Sequence, residues 1–113
     1  MAKKNPLLQA PPYAVEMALK KLGSNLRTAR LRRNLTIGEV AEKIGAGRRA
    51  VTDAEHGKAS AGIGTYAGLL WAFDMIPHLE EVADPERDRE GQRLAEVHGR
   101  RHARRRKRLD DDF

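Results

Sequence analysis

The sequence predicts an all-α fold, a compact bundle of about five helices, from three observations. Apolar residues recur at intervals of three and four along most of residues 13–83, the spacing that places them on one face of a helix. Glycine and proline fall between these periodic stretches, where turns are expected. The 113 residues are enough for one domain with a modest core and charged tails.

Residues 1–12 contain two lysines and three prolines without helical periodicity, which predicts a flexible N-terminal arm. The first long helix should begin near Pro12, since proline is tolerated at a first helical position, and end around Arg33 and Asn34. Gly23 lies inside this helix at a cost of about 1 kcal/mol relative to alanine. At this position the helix can kink or break into two helices.

The stretch TIGEVAEKIGAGRRAVTDAEHG, which begins at Thr36, predicts two short helices joined by a tight turn. Thr36 and Glu39 have the spacing of a capping box. Gly45 interrupts the apolar pattern where the backbone must turn. The spacing of small Ala41, Gly45 and apolar Val51 meets the packing demands of a helix-turn-helix. An ordinary hairpin of two helices with a glycine turn is the alternative.

The second helix of this pair should span residues 48–56. Its buried face is expected to comprise Val51, Ala54 and Glu55, which leaves Arg48, Arg49, Thr52 and Asp53 outward. In a helix-turn-helix the N-terminal residues of the second helix reach base edges in the major groove. Arginine binds guanine O6 and N7, and threonine can bond a base or touch a thymine methyl. The alternative is that both arginines contact phosphates only.

The charge distribution favours a nucleic-acid partner. The net charge is +6 and the pI about 10.1, and the charge is +7 over residues 1–58, −5 over 59–97 and +4 over 98–113. Four arginines crowd the end of the first long helix: Arg27, Arg30, Arg32 and Arg33. The helix dipole explains any one of them, but four exceed what capping needs, so some are expected to face phosphate.

Residues 22–76 resemble the Xre-type helix-turn-helix family, which includes lambdoid phage repressors. The matching residues are LGSNLRTARLRRNLTIGEVAEKIG and RRAVTDAEHGK. The resemblance implies a lambda-repressor-like helix-turn-helix and a largely buried ion pair between Arg30 and Glu55. With the arguments above, the candidate DNA-binding residues are Arg48, Arg49, Thr52, Asp53, Thr36, Arg33 and Lys58. The chain departs from the family at Ile37, usually a phosphate-contacting Gln, and at Gly47, usually a Ser or Thr cap.

Beyond Gly57 the sequence predicts a loop and two more helices. One apolar stripe comprises Ile63, Tyr66, Leu69, Leu70 and Phe73, and a second comprises Met75, Ile76, Leu79 and Val82. Trp71 is expected in the core, with a dimer interface as the alternative. A homodimer is expected in either case, because two recognition helices about one DNA turn apart match a palindromic site.

The phrase GIGTYAGLLWAFDMIPHLEEVADPERDREGQRL resembles the HipB-like antitoxins, which occur with HipA-like serine/threonine kinase toxins. This resemblance implies an antitoxin that represses its own operon as a dimer and neutralises such a kinase. Two alternatives remain open. One is a protein-interaction module on a helix-turn-helix scaffold, and the other is a phage-like repressor without a toxin partner.

Residues 84–113 form a tail that is dense in charge and poor in apolar residues, which predicts disorder. The basic run of the tail can follow DNA phosphates, dock on an acidic surface of a partner, or only raise solubility. The sequence leaves these three roles open.

Other classes of protein are disfavoured. The chain has no cysteine, so neither disulfides nor thiolate metal sites are available. No signal peptide and no apolar stretch of transmembrane length are found, so a cytoplasmic protein without a membrane partner is expected. No phosphate-binding loop, catalytic carboxylate pair, zinc spacing or nucleophile motif occurs. We expect no enzymatic activity, cofactor or metal.

Overall fold

A computed structural model describes residues 5–111 of the chain, and the side chains of residues 5–106. Over these residues the protein is all-helical, with 75% helix, seven α-helices and no strand. The helices are α1 (Pro6–Gln9), α2 (Tyr13–Arg32), α3 (Ile37–Ile44), α4 (Arg48–Glu55), α5 (Ile63–Ala72), α6 (Ile76–Glu80) and α7 (Arg89–Asp111), with a 3₁₀ turn at Ala59–Ala61. The all-α prediction is confirmed. The helix count exceeds five because one-turn α1 and the tail are also helical.

The described part of the chain divides into two compact units, residues 5–79 and 80–111. The core of the first unit is built from α2 to α5 and the residue after α5, and α4 contacts α2, α3 and α5. Its buried apolar residues are Leu26, Ala29, Val40, Ala41, Val51, Ala54, Tyr66, Leu69, Leu70, Ala72 and Phe73. Because α4 contributes Val51 and Ala54 to this core, one face of α4 is fixed and the other faces outward.

Helix α2 is continuous through Gly23, so it does not break into two helices there. Instead, Gly23 allows the backbone at the end of α4 to approach α2 closely. A Cβ atom at Gly23 would lie 2.5 Å from the carbonyl oxygen of Ala54 and 2.6 Å from that of Glu55. Only a residue without a side chain lets the end of α4 pack this tightly against α2.

Helix α3 begins and ends as its sequence predicts. Thr36 Oγ1 accepts a hydrogen bond from the Glu39 amide at 3.1 Å, and the Glu39 carboxylate accepts one from the Thr36 amide at 3.1 Å. These two bonds complete the capping box. At the other end Gly45 adopts the left-handed conformation, with φ of 69°, and the chain turns into α4.

The two terminal segments differ from the sequence-based expectations. Within the predicted flexible arm, residues 6–9 form α1, capped by Asn5, whose Oδ1 accepts a hydrogen bond from the Leu7 amide at 3.0 Å. Within the predicted disordered tail, residues 89–111 form α7. Arginine, glutamate, alanine and leucine are good helix formers, and no proline follows Pro85, so charge density alone misjudged this segment. Residues 1–4 and 112–113, which complete these predictions, lie outside the described residues.

Trp71 is not a core residue, contrary to expectation. It is 55% exposed, and Lys43 Nζ lies 5.9 Å from the centre of its ring. The same ammonium donates a hydrogen bond to the Ala72 carbonyl oxygen at 3.2 Å. Trp71 therefore lies at the surface in the last turn of α5, where the Lys43 ammonium contacts its ring.

None of the helices among residues 5–111 combines the length and apolar character needed to cross a membrane.

Candidate nucleic-acid interface

The N-terminal end of α4 is exposed and lacks a side-chain cap. Gly47 takes the N-cap position with extended backbone, and no side chain there accepts a hydrogen bond from the first turn. Arg48 and Arg49 follow directly, and the Arg49 side chain is 84% exposed. Both positive charges lie where the helix dipole is also positive, which is unfavourable until an anion approaches. This end of α4 therefore has the electrostatic character of an anion-binding site.

A shallow open groove joins the first turns of α3 and α4. It is lined by Arg30, Leu31, Leu35, Thr36, Ile37, Gly38, Arg48 and Thr52. Three of the predicted site residues, Thr36, Arg48 and Thr52, are thus brought to one surface. Thr36 Oγ1 accepts from the Glu39 amide, which leaves its hydroxyl hydrogen able to donate to another acceptor.

Gly38 is a contributor that sequence reasoning missed. The Arg48 guanidinium lies over it, so that a Cβ at Gly38 would be 3.0 Å from Arg48 Nη2. The absence of a side chain at Gly38 gives the arginine room to lie across the start of α3. A glycine in the first turn of a helix is the only signal that the sequence offers for this contact.

Arg49, Asp53 and Lys58 form a second cluster on the outer face of α4. Asp53 Oδ1 lies 3.2 Å from Lys58 Nζ and 3.4 Å from Arg49 Nε. The hydrogen bond from Lys58, with a smaller contribution from Arg49, holds the pKa of Asp53 below its usual value. Asp53 is therefore a charged acceptor that orients two cations. Asp53 can therefore position the Arg49 and Lys58 side chains whether or not it contacts a ligand itself.

The backbone of Lys58 is anchored from the core. Its carbonyl oxygen accepts a hydrogen bond from the Tyr66 hydroxyl at 2.8 Å. Burial, with a smaller contribution from the Asp53 carboxylate, raises the pKa of Tyr66, so this donor stays protonated. The bond fixes where the loop after α4 presents the Lys58 ammonium.

Beneath this surface, Arg30 of α2 and Glu55 of α4 form the buried pair that the family resemblance implies. Arg30 Nε donates to Glu55 Oε2 at 2.6 Å and Nη2 to Oε1 at 3.1 Å, while Nη1 donates to the Leu35 carbonyl at 2.9 Å. The hydrogen bonds to Glu55 raise the pKa of Arg30. A two-pronged arginine–carboxylate pair fixes geometry as well as charge. It holds the C-terminal end of α4 against α2.

Arg33 is placed differently from the other candidates. Its Nη1 donates to the Ala29 carbonyl at 3.0 Å and its Nη2 to the Phe73 carbonyl at 3.0 Å. Its guanidinium carbon also lies 5.4 Å from the centre of the Phe73 ring. This arginine caps the C-terminal ends of α2 and α5 through these two hydrogen bonds, and its contact with phosphate stays a prediction.

The two departures from the family pattern have visible consequences. Ile37 packs partly buried against the core, so no polar side chain reaches out from that position. Gly47 leaves the first turn of α4 without a side-chain cap. Any anion at this surface must therefore be bound by the arginines, the threonines, Lys58 and backbone amides.

No protein-family model, curated protein or solved structure gives a significant match to the chain.

Proposed function

We propose that the protein is a sequence-specific DNA-binding transcriptional repressor in which α3, the glycine turn and α4 act as a helix-turn-helix. The observation that carries the proposal is the N-terminal end of α4, which has no side-chain cap and begins with two exposed arginines beside an open groove. A row of DNA phosphates and base acceptors supplies the negative potential that this helix end lacks.

Each residue of the surface has a distinct role in this proposal. Helix α4 enters the major groove, where Arg49 reads a guanine and Thr52 contacts a neighbouring base. Arg48, Thr36 and Lys58 contact phosphates and set the orientation of α4. Asp53 holds the side chains of Arg49 and Lys58 in place through the ion pairs at 3.4 and 3.2 Å.

The proposed active species is a homodimer. One eight-residue α4 spans only a few base pairs, so a single copy provides little sequence discrimination. Two copies related by a two-fold axis place two α4 helices about one DNA turn apart and read a palindromic site. Light scattering of the purified protein, with and without operator DNA, tests the expected mass of two chains.

We extend the proposal to an antitoxin that represses its own operon and neutralises a HipA-like serine/threonine kinase. Support for this step is the HipB-like resemblance of residues 62–94. The test is whether the protein binds and inhibits the product of a kinase gene adjacent to its own. A chain with no such neighbour and no kinase inhibition is a phage-like repressor without a toxin.

The DNA-binding step is tested by fluorescence anisotropy with the DNA upstream of its own gene, against a shuffled duplex of equal composition. Wild type should prefer the native duplex. Arg49→Ala should weaken native binding by about 1–3 kcal/mol, or about 5- to 150-fold, and lower the preference over shuffled DNA. Arg89→Ala is the control. It removes the same charge at the start of α7, where acidic residues predominate, and should leave the preference unchanged.

Two results would count against the proposal. If Arg49→Ala weakens both duplexes equally and reduces the salt slope by about one, Arg49 contacts phosphate and does not read a base. If wild type itself shows no preference between the duplexes, the repressor proposal fails, and a protein-interaction module on the same scaffold becomes the better account.

A further inference from the structure

The C-terminal half of α7 is a strongly basic surface that no part of the proposed function uses. Seven of the nine residues from 100 to 108 are arginine or lysine, and no acidic residue occurs between Glu96 and Asp110. The five arginines at positions 100, 101, 104, 105 and 106 are exposed. None of them forms an ion pair with any of the side chains described, those of residues 5–106.

The N-terminal part of the same unit is different. Residues 80–97 contain seven acidic residues and three arginines. Arg93 pairs with Glu90 at 2.6 Å, and Arg87 lies 3.9 Å from Glu81. Arginines are therefore outnumbered by acidic residues in one half of the unit, and positive charge is concentrated in the other half.

Helical geometry places much of the basic charge on one face. At about 100° per residue, Arg100, Arg101, Arg104 and Arg105 fall within an arc of about 140°. Positions 100 and 104, and 101 and 105, are like-charge pairs one turn apart, which destabilise an isolated helix. A ligand with closely spaced negative charges would remove this repulsion.

The charge spacing of duplex DNA suits this face. Residues 100–108 extend about 12 Å along the helix axis, a length over which duplex DNA carries about seven phosphate charges. The segment itself carries seven cations. A second copy of the segment would place arginine against arginine. A membrane surface would need an apolar face, but α7 exposes only Leu94 and Val97 as large apolar residues among its described side chains.

We infer that the face of α7 formed by Arg100, Arg101, Arg104 and Arg105 is a second DNA-binding site, which contacts the phosphate backbone without reading sequence. It lies on a different helix from Arg48 and Arg49, in the other structural unit. It adds affinity for any duplex, whereas the proposed recognition helix adds preference for one duplex. The two sites therefore make separable contributions to binding.

The test uses the full chain with Arg101→Gln, Arg104→Gln and Arg105→Gln combined, and measures binding to the shuffled duplex across salt concentration. The slope of log affinity against log salt is negative, and the loss of three phosphate contacts should reduce its magnitude by about 2.7. Affinity for shuffled and native duplexes should fall by the same factor. The native-to-shuffled ratio should stay as in wild type.

The matched control combines Arg87→Gln, Arg89→Gln and Arg93→Gln, which changes the net charge equally but within the acidic segment. The magnitude of its salt slope should change by less than about 0.9, the value expected for one phosphate contact. Circular dichroism of both variants verifies that the helix content is retained. An equal fall in slope for the two variants would mean that net charge alone acts, and the proposal is overturned.

Two further results would also overturn it. One is an unchanged slope in the Arg101, Arg104 and Arg105 variant. The other is a loss of binding to duplex RNA of equal length while DNA binding is retained, since that would identify RNA as the ligand of this face. Failure of the repressor proposal appears in a different measurement, the native-to-shuffled ratio of wild type.

Discussion

The two ends of α4 are built in opposite ways. At the C-terminal end, Glu55 is buried and paired with Arg30, and the backbone approaches α2 so closely that Gly23 admits no side chain. At the N-terminal end, Gly47 provides no side-chain cap, and two arginines stand in the first turn. The C-terminal end is fixed by contacts within the fold. The N-terminal end has amides without a side-chain cap and two positive charges next to the positive end of the helix dipole.

Within the eight residues of α4, one end contributes to the stability of the fold and the other end is exposed to a ligand. The buried pair and the core residues Val51 and Ala54 set the direction of α4. Because that direction is fixed, Arg48 and Arg49 are presented at a defined place. A surface that binds a rigid polymer such as DNA benefits from such pre-positioning, since less freedom is lost on binding.

The strongest way to break the fixed end is to remove one partner of the buried pair. Glu55→Ala leaves the Arg30 guanidinium buried without its counter-charge, which should lower the free energy of unfolding by about 3–5 kcal/mol. Urea denaturation followed by circular dichroism measures the change.

The control for this variant removes both charges together. Arg30→Met combined with Glu55→Met replaces the pair by apolar side chains and should recover much of the lost stability, because no unpaired charge remains. If Glu55→Ala alone costs less than about 1 kcal/mol, the pair contributes no more than a surface ion pair.

The second way to break the fixed end is to fill the space at Gly23. Gly23→Ala would place a Cβ 2.5 Å from the Ala54 carbonyl oxygen, and the three nearest atoms there are all backbone atoms. Separation of α2 from α4 should cost about 1–3 kcal/mol, as for other overpacked sites.

Gly68→Ala in α5 is the matched control, since its Cβ would lie 3.6 Å from Ile44, an ordinary contact. It should stabilise the protein by about 0.5–1 kcal/mol through its better helix propensity. Thermal unfolding of both variants distinguishes these opposite signs, and stabilisation by both would show that α2 and α4 are not in close contact at Gly23.

Local signals in the sequence predicted much of this arrangement. The capping box at Thr36 and Glu39, the glycine turn and the buried face of α4 all depend on residues within one or two turns of each other. Interactions of that range leave a fixed spacing in the sequence. The Arg30–Glu55 pair spans 25 positions and was inferred only through a family resemblance.

Features that depend on distant contacts could not be predicted. Arg33 bonds a carbonyl forty residues away, at Phe73, so its capping role has no local pattern. The exposure of Trp71 depends on where α5 meets its neighbours. Helix α7 was missed for another reason: high charge density argues for disorder, while the same residues favour a helix, and composition does not decide between the two.

The test with the smallest expected effect removes the N-cap side chain of α3 and adds one to α4. Thr36→Ala removes a working cap and should lower stability by about 1 kcal/mol. Gly47→Ser adds a hydroxyl at an N-cap whose extended backbone, with φ of −76° and ψ of 156°, suits serine, and should raise stability by a few tenths of a kcal/mol.

Both substitutions should weaken DNA binding, Thr36→Ala because it removes a proposed phosphate contact, although they change stability in opposite directions. The added serine hydroxyl accepts a hydrogen bond from an amide in the first turn of α4, so it competes with phosphate for that donor. Gly47→Ser should therefore stabilise the fold and weaken DNA binding, measured by thermal unfolding and by anisotropy on the native duplex. A variant that gains both stability and affinity would show that the missing cap at α4 has no part in anion binding.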